Sequence, residues 1–488
     1  MMSNEVEIRE LLAQHKQEHL LQFWDELNET EKETLLNDIK NVKLNETVKF
    51  FEKVNQTHHG ETKSNLILEP VPHQLHGSLK CTDKETLDSY REIGLKEISE
   101  GHVGVLLLAG GQGTRLGVPY PKGMFNVELP SKKTLFQLQA ERILKLQRLA
   151  DEKYSTCSII MWYIMTSPAT TKMTHEFLEE HKYFGLDKKN IIMFEQGVLP
   201  CFDFEGKILM DSKFKIAKSP DGNGGLYKAL KENEILHDME KKNIKYLHAY
   251  CVDNILVRVA DPVFIGYCII KGAECAAKVV EKVSPTEPIG VVCKVNKKLQ
   301  VVEYSEISNF DANRKNDDGR LTFSAGNICN HFFTREFLEK VANQFESEMK
   351  LHRAKKKIPY IDGNGKLINP TNCNGVKIEK FIFDVFVFAS DLNFVIWEVP
   401  RDEEFSALKN SIDSNQDNPH TARESIFKLH KKFIENAGGQ VTVNGVIEIS
   451  PLISYGGEGL ESKCKGQIFE PPVLLFTQEE QGTQGAFI

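Results

Sequence analysis

Three glycines, an arginine and a lysine follow directly after a run of apolar residues. The segment from Val105 to Gly123 reads VLLLAGGQGTRLGVPYPKG. Glycines let backbone N–H groups approach a phosphate or a nucleobase closely, because they carry no side chain and accept positive φ. Arg115 and Lys122 can neutralise phosphate oxygens on either side of such a loop. The pattern therefore predicts a local site for a phosphate or a nucleotide.

The glycine spacing excludes two common phosphate-binding motifs. A dinucleotide fingerprint needs Gly or Ala at its sixth position, yet the hexamer that begins at Gly111 ends at Leu116. A P-loop needs Gly-Lys followed by Ser or Thr, yet Lys122 is followed by Gly123. A nicotinamide-dependent oxidoreductase is thus the least supported function. The pattern that remains is G-G-x-G-T-R-L-G-x-x-x-P-K.

Bulk composition is that of an ordinary soluble globular protein. The 488 residues predict two or three domains, and 41% hydrophobic with 27% charged residues disfavours disorder. The net charge of −8 argues against general binding to nucleic acid, which needs clustered Lys and Arg. No apolar run is long enough to span a membrane, and the N-terminal residues lack a secretory apolar segment. We therefore expect a cytoplasmic protein without nucleic-acid or membrane partners.

The ten cysteines include no C-x-x-C pair, and H-E-x-x-H is absent, so neither motif supports a zinc site. We expect reduced thiols. Cys157, Cys251 and Cys293 lie in apolar, strand-like runs, where a cysteine acts as a small buried hydrophobe.

Alternating apolar strands and amphipathic helices must position the glycine loop. Continuous apolar segments at 103–109, 157–167, 190–197 and 246–254 are separated by helical patterns, one of which begins near Pro168. This alternation is typical of a mostly parallel sheet buried on both faces. Ligands bind beyond the carboxyl ends of such strands, where the glycine loop is predicted to lie. From about residue 285 a strand-rich pattern, with helices expected at 334–350 and 378–389, indicates an antiparallel extension that shapes a pocket.

Helical patterns before residue 100 and short strands after residue 400 flank the sheet. A capping box at Thr30–Glu33 predicts the start of a second helix, and another at Thr82–Glu85 predicts a helix that ends at Gly101. We predict an α/β fold whose central, Rossmann-like sheet is mixed and mostly parallel. The predicted domains are a mainly helical one at 1–100, a catalytic one at 101–395 and a small α/β, β-rich one at 396–488 that ends in a polar tail.

Motifs along nearly the whole chain resemble one enzyme family. The loop GGQGTRLGVPYPKG resembles the signature of sugar-nucleotide pyrophosphorylases, in the form of the eukaryotic UDP-N-acetylhexosamine (UDP-N-acetylglucosamine) pyrophosphorylases. This resemblance implies a nucleotidyltransferase fold of the GT-A-like type. Further segments that resemble family motifs are PDGNGGLY (220–227), YCVDN (250–254), VVEYSE (301–306), SAGNICNHFF (324–333), KIEKFIFDVF (377–386), PRDEEFSALKN (400–410) and ISPLISYGGEGLE (449–461).

The resemblance implies uridylyl transfer. The family makes UDP-N-acetylglucosamine and pyrophosphate from UTP and N-acetylglucosamine 1-phosphate, and N-acetylgalactosamine 1-phosphate is an expected further substrate. The attacking phosphate monoester has a second pKa near 6 and is largely ionised at neutral pH, so no general base is needed. In-line attack on the α-phosphate requires positioning and charge stabilisation instead. The expected partners are these small molecules, with the protein a monomer or a homodimer.

The nucleotide is assigned mainly to residues of the glycine loop. We assign Arg115 to the β- and γ-phosphates and Lys122 to the α-phosphate as the catalytic pair. Gln196 matches the family residue that reads uracil, although a polar residue that ends a strand is equally compatible with a solvated surface. The nucleotide-binding residues that the resemblance implies are Leu108, Ala109, Gly110, Gly111, Lys122, Gln196, Gly222, Asp253 and Lys377.

Asp253 follows an apolar strand and has two interpretations. An Asp in this place can cap a helix or form a turn. The resemblance instead implies a ligand of Mg²⁺, with Mn²⁺ as a substitute, and one carboxylate with phosphate oxygens and waters suits Mg²⁺.

The sugar phosphate is assigned to residues later in the chain. Phe381 and Phe383 alternate within FIFDVF, so core packing is an equal interpretation for them. The segment FASDLNF is longer than the family pattern, which weakens the match of Lys409 relative to that of Lys377. The implied sugar-phosphate residues are Asn223, Gly290, Glu303, Tyr304, Asn327, Phe381, Phe383 and Lys409.

Two other functions stay open at this stage. A catalytically silent nucleotide-sugar sensor would be expected to lose Arg115, Lys122 or Asp253, and all three are present. An enzyme for a sugar phosphate without the acetamido group differs only in substrate. The sequence leaves open the preference between the two N-acetylhexosamine 1-phosphates and the oligomeric state.

Overall fold

Two compact units make up the part of the chain that the structure, a computed structural model, describes, namely residues 2–60, 67–390 and 392–483. Each unit is assembled from segments that are far apart in sequence. Unit 1 comes from Met1–Asn65, Gln196–Ala229 and Glu346–Asp384, and unit 2 from Leu66–Glu195, Leu230–Phe345 and Val385–Ile488. The contiguous division into domains at residues 100 and 395 stays a prediction.

Unit 1 combines N-terminal helices with small antiparallel β-structure. Leu35, Leu36 and Ile39 recur along one helix face and pack in the same core as Phe202 and Val376. The α-helices are Met2–Gln14, Glu29–Asn41, Leu44–Gly60 and Leu226–Glu232, whose last residues belong to unit 2. The strands are Val198–Pro200, Phe202–Asp203, Met210–Ser212, Lys215–Ile216, Lys218–Pro220, His352–Lys356, Tyr360–Ile361, Leu367–Ile368 and Gly375–Glu379.

Side-chain caps set where two of the helices begin. The Asn28 side chain accepts the Glu31 N–H at 3.0 Å and the Glu31 carboxylate accepts the Asn28 N–H at 3.0 Å. The capping box predicted at Thr30–Glu33 is therefore wrong by two residues, because Asn28 offers the same chemistry earlier. Asp83 rather than Thr82 caps the helix Lys84–Ser99, and Gly101 follows it with a φ of +72°, as predicted.

An eleven-stranded sheet forms the centre of unit 2. Eight strands form one path in the order β1-β8-β6-β7-β5-β2-β3-β4, and only β7 runs antiparallel to its neighbours. In chain order they are β1 (His76–Ser78), β2 (Val103–Leu108), β3 (Met161–Thr166), β4 (Ile191–Glu195), β5 (Tyr246–Cys251), β6 (Cys275–Glu281), β7 (Ala325–Thr334) and β8 (Phe394–Glu398). Of the other three strands, Val291–Val295 pairs with β7, and Leu68–Glu69 and Lys298–Val302 pair with Val291–Val295.

The parallel pairing brings the carboxyl ends of the strands to one edge. Leu108 at the end of β2 pairs with Cys251 at the end of β5, and with Met165 in β3. Every residue of β2 and β3 is buried, as the continuous apolar runs predict. The loops that follow β2 and β5 therefore leave the sheet as neighbours, which confirms the predicted mixed, mostly parallel α/β architecture.

The remaining elements of unit 2 lie between the strands of the sheet or after them along the chain. Its α-helices are Lys84–Ser99, Leu135–Tyr154, Thr171–Glu180, Ile235–Lys241, Pro262–Ile270, Asn309–Asn313, Arg335–Lys340, Arg401–Glu404, Pro419–Asn436, Glu461–Cys464 and Gln478–Thr483. Two short parallel pairs follow, Gln440–Val441 with Ile468–Phe469 and Ile447–Ile449 with Val473–Leu475. None of the helices in the described ranges has the length and apolarity that crossing a bilayer requires.

Several local predictions differ from the structure. The helix expected at 378–389 is wrong, because the alternating buried Val376 and Ile378 belong to a strand, and only a 3₁₀ segment, Ile382–Phe388, follows. The helix expected at 334–350 is present as an α-helix, Arg335–Lys340, followed by a π-helical segment, Val341–Phe345, and a 3₁₀ turn, Glu346–Glu348. The polar tail begins with a short helix, and residues 484–488 lie outside the described residues, as does Asp391 within FASDLNF. All ten cysteines are free thiols, but Cys157 is exposed because it precedes β3.

A cluster of buried charges lies beside β6. Lys278, with a fully buried side chain, pairs with Asp261 at 2.6 Å and with Glu404, and Arg258 lies 3.9 Å from Glu404. Burial raises the pKa of Glu404, although Lys278 opposes this. Burial would also raise the pKa of Asp261, but Lys278 and Arg258 together lower it. The cluster thereby ties the residue that caps the helix Pro262–Ile270 to the segment after β8.

Replacing Lys278 should unfold unit 2 more easily. Lys278→Met leaves two buried carboxylates without their main partner, and we expect a loss of about 3–5 kcal/mol in the free energy of unfolding. Urea unfolding followed through the fluorescence of Trp162 and Trp397 measures it. Lys172→Met, at an exposed position, should change stability by less than about 0.5 kcal/mol. If Lys278→Met lowered the free energy of unfolding no more than Lys172→Met does, the two buried carboxylates would not require the Lys278 ammonium group.

Candidate active site

The glycine loop after β2 is held in shape by its own backbone. The Gly113 N–H donates to the Tyr120 carbonyl at 2.9 Å and the Lys122 N–H donates to the Gly111 carbonyl at 3.3 Å. A Cβ on Gly113 would lie 2.4 Å from Val118, so this glycine is required by a close approach. The positive φ expected in the loop occurs at Gly117, at +82°, and not at the three earlier glycines.

The same loop presents donors without acceptors. In the described part of the chain, no acceptor contacts the backbone N–H groups of Gly110 and Gly111. The Gly110 carbonyl is fixed by the Ser167 hydroxyl at 2.9 Å. Arg115 lies in the 3₁₀ turn Thr114–Leu116, and its exposed side chain likewise meets no acceptor among the described residues. Fixed N–H groups beside an unpaired guanidinium can receive an anion.

Lys122 and Asp253 meet across the two neighbouring strand ends. The Lys122 ammonium lies 3.2 Å from Asp253 Oδ2 and also donates to the Leu408 carbonyl at 3.4 Å. The two side chains are only 15% and 20% exposed. A cation and a hard oxygen ligand are thus held together beside the glycine loop.

Residues 404–409 are tied to the strand end that carries Asp253. The Asn254 amide donates to the Glu404 carbonyl at 2.7 Å and accepts the Ser406 N–H at 3.0 Å. The Leu408 N–H donates to the Asp253 carbonyl at 2.8 Å. Lys409, the next residue, is therefore anchored to the same strand end despite the long segment before β8.

A second carboxylate, that of Asp417, accompanies this group. The Lys409 N–H donates to the Asp417 carbonyl at 2.8 Å. Burial raises the pKa of Asp417, and the nearby charge of Asp253 adds to the effect, while Lys409 opposes it.

Three of the five sugar-phosphate residues predicted in unit 2, namely Gly290, Glu303 and Asn327, lie together beside β7. The Asn327 N–H donates to the Gly290 carbonyl at 2.8 Å, and a Cβ on Gly290 would lie 2.8 Å from Glu303 Oε1. Tyr304 follows Glu303 and is half exposed. The hairpin Val291–Val295 and Lys298–Val302 thus places these polar groups together.

Two thiols lie between the carboxylate and the sugar group. The Cys251 thiol donates to the Cys329 sulfur at 3.1 Å, and the Cys329 N–H donates to Asn327 Oδ1 at 3.2 Å. The thiol–thiol hydrogen bond lowers the pKa of Cys329 and raises that of Cys251.

The other predicted residues belong to unit 1, and most of them meet there. Gln196 Nε2 lies 3.5 Å from the Gly222 carbonyl, the outer limit of a hydrogen bond, and Asn223 Oδ1 accepts the Ile382 N–H at 3.0 Å. A Cβ on Gly222 would lie 2.3 Å from the Lys380 carbonyl, so only glycine fits there. Phe381 and Phe383 follow, with ring centroids 5.2 Å apart. Lys377 lies in the strand Gly375–Glu379 and is not part of these contacts.

Phe381 is fixed by a histidine and an aspartate. Its ring stacks on His352 with centroids 4.1 Å apart, and its N–H donates to Asp384 Oδ2 at 2.8 Å. His352 Nε2 lies 2.9 Å from Asp384 Oδ1.

The Asp253 carboxylate, beside the anion site, has the chemistry of a ligand for a divalent metal. Mg²⁺ prefers one or two carboxylates with phosphate oxygens and waters, which a single carboxylate beside an anion site provides. One group with metal-ligand spacing, Glu97, Glu100 and His102, lies just before β2 and hence at the opposite edge of the sheet. It therefore does not serve the anion site.

Comparison with known proteins decides the family. Residues 47–458 match the family described as UTP–glucose-1-phosphate uridylyltransferase. UDP-N-acetylhexosamine pyrophosphorylase-like protein 1 of Homo sapiens is 47% identical over 97% of both chains, and UDP-N-acetylglucosamine pyrophosphorylase of Saccharomyces cerevisiae is 41% identical over 95% of this chain and 98% of its own. The crystal structure of the UDP-N-acetylglucosamine pyrophosphorylase of Trypanosoma brucei superposes with a TM-score of 0.84 at 28% identity, over 98% of this chain and 99% of that one.

The chain belongs to this uridylyltransferase family. Within it, the chain groups with the eukaryotic UDP-N-acetylhexosamine pyrophosphorylases, which confirms the predicted family, and it is an enzyme of the nucleotidyltransferase type. Pyrophosphorylases of this kind typically use a divalent metal. The roles of the individual site residues stay predictions.

Sequence reasoning missed the residues that support the uridylyltransferase site. Asn254 is part of the recognised YCVDN motif, but its bonds to residues 404 and 406 depend on contacts 150 residues away. Asp384 lies within the recognised segment KIEKFIFDVF but was given no role, and His352 gave no signal because a lone histidine has no diagnostic spacing. Asp221, beside the predicted Gly222, could have been suspected from its place within PDGNGG.

Asp221 is the basis of a pH-dependent prediction. The carboxyl group is 6% exposed, and burial raises its pKa to about 6, with Lys380 opposing. The folded state therefore binds the Asp221 carboxyl proton more tightly than the unfolded chain does. As the pH rises from 3.8 to about 6, the free energy of unfolding falls for this reason. Above that pH Asp221 is ionised, and its buried charge lowers the free energy of unfolding by its full amount, at most about 3 kcal/mol.

Asp221→Asn should raise the stability of unit 1 by about 1–2 kcal/mol at pH 7.5, because it removes a buried charge but leaves a buried polar group in its place. The gain should shrink by about 1 kcal/mol at pH 5.0. Thermal melts at both pH values measure the difference. Asp211→Asn, at an exposed position of the same unit, is the control and should have little effect. A gain that is equal at both pH values would contradict the raised pKa.

Proposed function

We propose that this enzyme transfers uridylyl from UTP to N-acetylglucosamine 1-phosphate, and also to N-acetylgalactosamine 1-phosphate, releasing pyrophosphate. The observation that supports this most is the Lys122–Asp253 pair, 3.2 Å apart beside a glycine loop with unpaired N–H groups. Such a site offers cationic and hydrogen-bonding groups for a triphosphate without any general base. An ionised phosphate monoester needs none.

Positioning and charge stabilisation carry the reaction in this proposal. Lys122 binds the α-phosphate and stabilises the negative charge that grows there during in-line attack. Arg115 binds the β- and γ-phosphates, where its planar fork can hold two oxygens of the leaving pyrophosphate. Leu108, Ala109, Gly110 and Gly111 bind uridine with backbone groups. The long segment before β8 does not prevent Lys409 from acting as an outer phosphate contact, because residues 404–408 are tied to Asp253 and Asn254.

We propose Mg²⁺, with Mn²⁺ as a substitute, as the divalent metal. Asp253 would hold it, and the metal would neutralise charge on the triphosphate. Binding a cation requires the Asp253 carboxylate to share or exchange its contact with Lys122, which leaves the ammonium group available to the α-phosphate.

The sugar is recognised in this proposal by the polar group beside β7. Glu303 and Tyr304 would contact sugar hydroxyls, with Asn327 and the Gly290 backbone adjoining them. The residues of unit 1 keep the roles that the resemblance implies, with Gln196 and Gly222 for uridine, Asn223 for the sugar, Phe381 and Phe383 for the acetamido group and Lys377 for phosphate. The cytoplasmic location and the monomeric or homodimeric state also remain predictions.

A substrate panel tests the function directly. With UTP, we expect turnover of both N-acetylhexosamine 1-phosphates, and a kcat/KM for glucose 1-phosphate at least about tenfold lower, because the acetamido contacts are then lost. ATP in place of UTP should give little product, since a purine leaves the uracil-binding groups unpaired. Pyrophosphate release and mass spectrometry of the nucleotide sugar measure both.

Each contrary result has a distinct meaning. Equal kcat/KM for glucose 1-phosphate would reject the acetamido assignment but keep uridylyl transfer. Comparable activity with ATP would reject the uridine assignment. Binding of UDP-N-acetylglucosamine without turnover of any sugar phosphate would favour the silent sensor.

Asp253→Asn tests the metal assignment. The variant keeps the shape of the side chain but removes its charge, so turnover should fall by at least about a hundredfold at saturating UTP. The melting temperature should move little, because a partly exposed ion pair contributes at most about 1 kcal/mol. Turnover against Mg²⁺ concentration, with a melting curve of the same sample, measures both.

Asp417→Asn is the matched control, because the Asp417 carboxylate lies close enough to Asp253 for the Asp253 charge to raise the pKa of Asp417. It should keep turnover within about threefold of wild type. If Asp253→Asn kept near-normal turnover and an unshifted Mg²⁺ requirement while Asp417→Asn lost its turnover, the metal ligand would be Asp417 and not Asp253.

A further inference from the structure

Cys251 and Cys329 are opposed on neighbouring antiparallel strands. The antiparallel pairing of β5 with β7 ends at Tyr250 and Asn330, and the two cysteines are the next residue on each strand. Their sulfur atoms are 3.1 Å apart. Among the ten cysteines, all of which lie in the described ranges, no other pair is in sulfur contact.

The geometry suits a covalent bond with little movement. The two sulfur atoms are already 3.1 Å apart, and the sulfur–sulfur bond of a disulfide is about 2.05 Å long. The sulfur atoms would need to approach by about 1 Å to reach bonding distance. Both residues are partly accessible, whereas Cys201, Cys268, Cys275, Cys293 and Cys464 are buried.

The pair lies between the two halves of the proposed site in unit 2. Cys251 is two residues before Asp253 in sequence. The Cys329 N–H holds the side-chain oxygen of Asn327 at 3.2 Å, and Asn327 in turn contacts the Gly290 backbone. A displacement of either cysteine would therefore move a residue that is proposed to bind the metal or the sugar.

We propose that Cys251 and Cys329 are a site of reversible oxidation, at which a disulfide forms and lowers uridylyl-transfer activity. The bond itself is independent of the proposed function, and only the effect on activity rests on it. Drawing the sulfurs together moves the end of β5 and the irregular part of β7, where Cys329 has a φ of +52°. Because a misplacement of about 1 Å can cost about a hundredfold in rate, a loss of at least tenfold is expected.

The oxidant in this proposal is a small-molecule disulfide. One cysteine sulfur attacks a sulfur of the oxidant and releases one small thiol, which leaves a mixed disulfide. The second cysteine sulfur then attacks the protein sulfur of that bond and releases the second small thiol. Two electrons pass from the cysteine pair to the oxidant, and the two thiol protons end on the released thiols. A reducing dithiol reverses both steps.

The test treats the full-length protein with oxidised glutathione, blocks remaining thiols with iodoacetamide and maps linked peptides by mass spectrometry. We expect a peptide that joins Cys251 to Cys329, a loss of at least tenfold in uridylyl transfer and recovery with dithiothreitol. Cys81→Ser, which removes a lone exposed thiol, should behave as wild type. Cys329→Ala should keep its activity within about twofold and resist the oxidant. Cys329→Ser replaces it if the alanine variant does not fold.

Two outcomes overturn the proposal. The first is glutathione on the exposed cysteines without any Cys251–Cys329 link. The second is the linked peptide in a protein whose uridylyl transfer is unchanged. If the reduced protein transfers no uridylyl at all, the proposed function fails, while the peptide map still decides whether the bond forms.

Discussion

The parallel pairing of β2 with β5 is the constraint on which the candidate site depends. Its register places Leu108 beside Cys251, so the chain leaves both strands at the same edge of the sheet. Lys122 and Asp253, 131 residues apart in sequence, then meet at 3.2 Å. A shift of this register would separate the ammonium group from the carboxylate, because each residue along a strand advances by about 3.3 Å.

Buried polar groups extend this arrangement to the segment that carries Lys409. Asn254 bonds to the backbone of residues 404 and 406, and Lys278 holds the side chain of Glu404. Burying these charges has a large desolvation cost, which is offset only when every partner is present. The network does not contact the anion site through its own charges. It fixes the position of the largely buried segment 404–409, which the strand pairing alone would not hold.

Close backbone contacts play the corresponding part in unit 1. Gly222 and Gly224 lie against residues 380 and 381 at distances that exclude any side chain. Asn223 and Phe381 are thereby brought to the same place, and His352 with Asp384 fixes the phenyl ring. A glycine-rich composition alone indicates only a turn. In this protein the glycines are needed because two backbone segments lie too close together for a side chain.

Sequence by itself determined the fold class, the family and the first elements of the site. Continuous apolar runs separated by amphipathic helical patterns indicated strands buried on both faces, and Pro-Lys-Gly at residues 121–123 with the preceding glycines excluded two motifs by register alone. Local rules were less reliable where two equivalent residues competed, as at Asn28 and Thr30, or where an apolar alternation suited a strand and not a helix, as at Val376 and Ile378. Only the tertiary structure decided that Cys251 opposes Cys329, that Asn254 anchors the segment before Lys409 and that Asp221 is buried. These contacts join residues tens to hundreds of positions apart, so chain folding determines them and no spacing within the sequence encodes them.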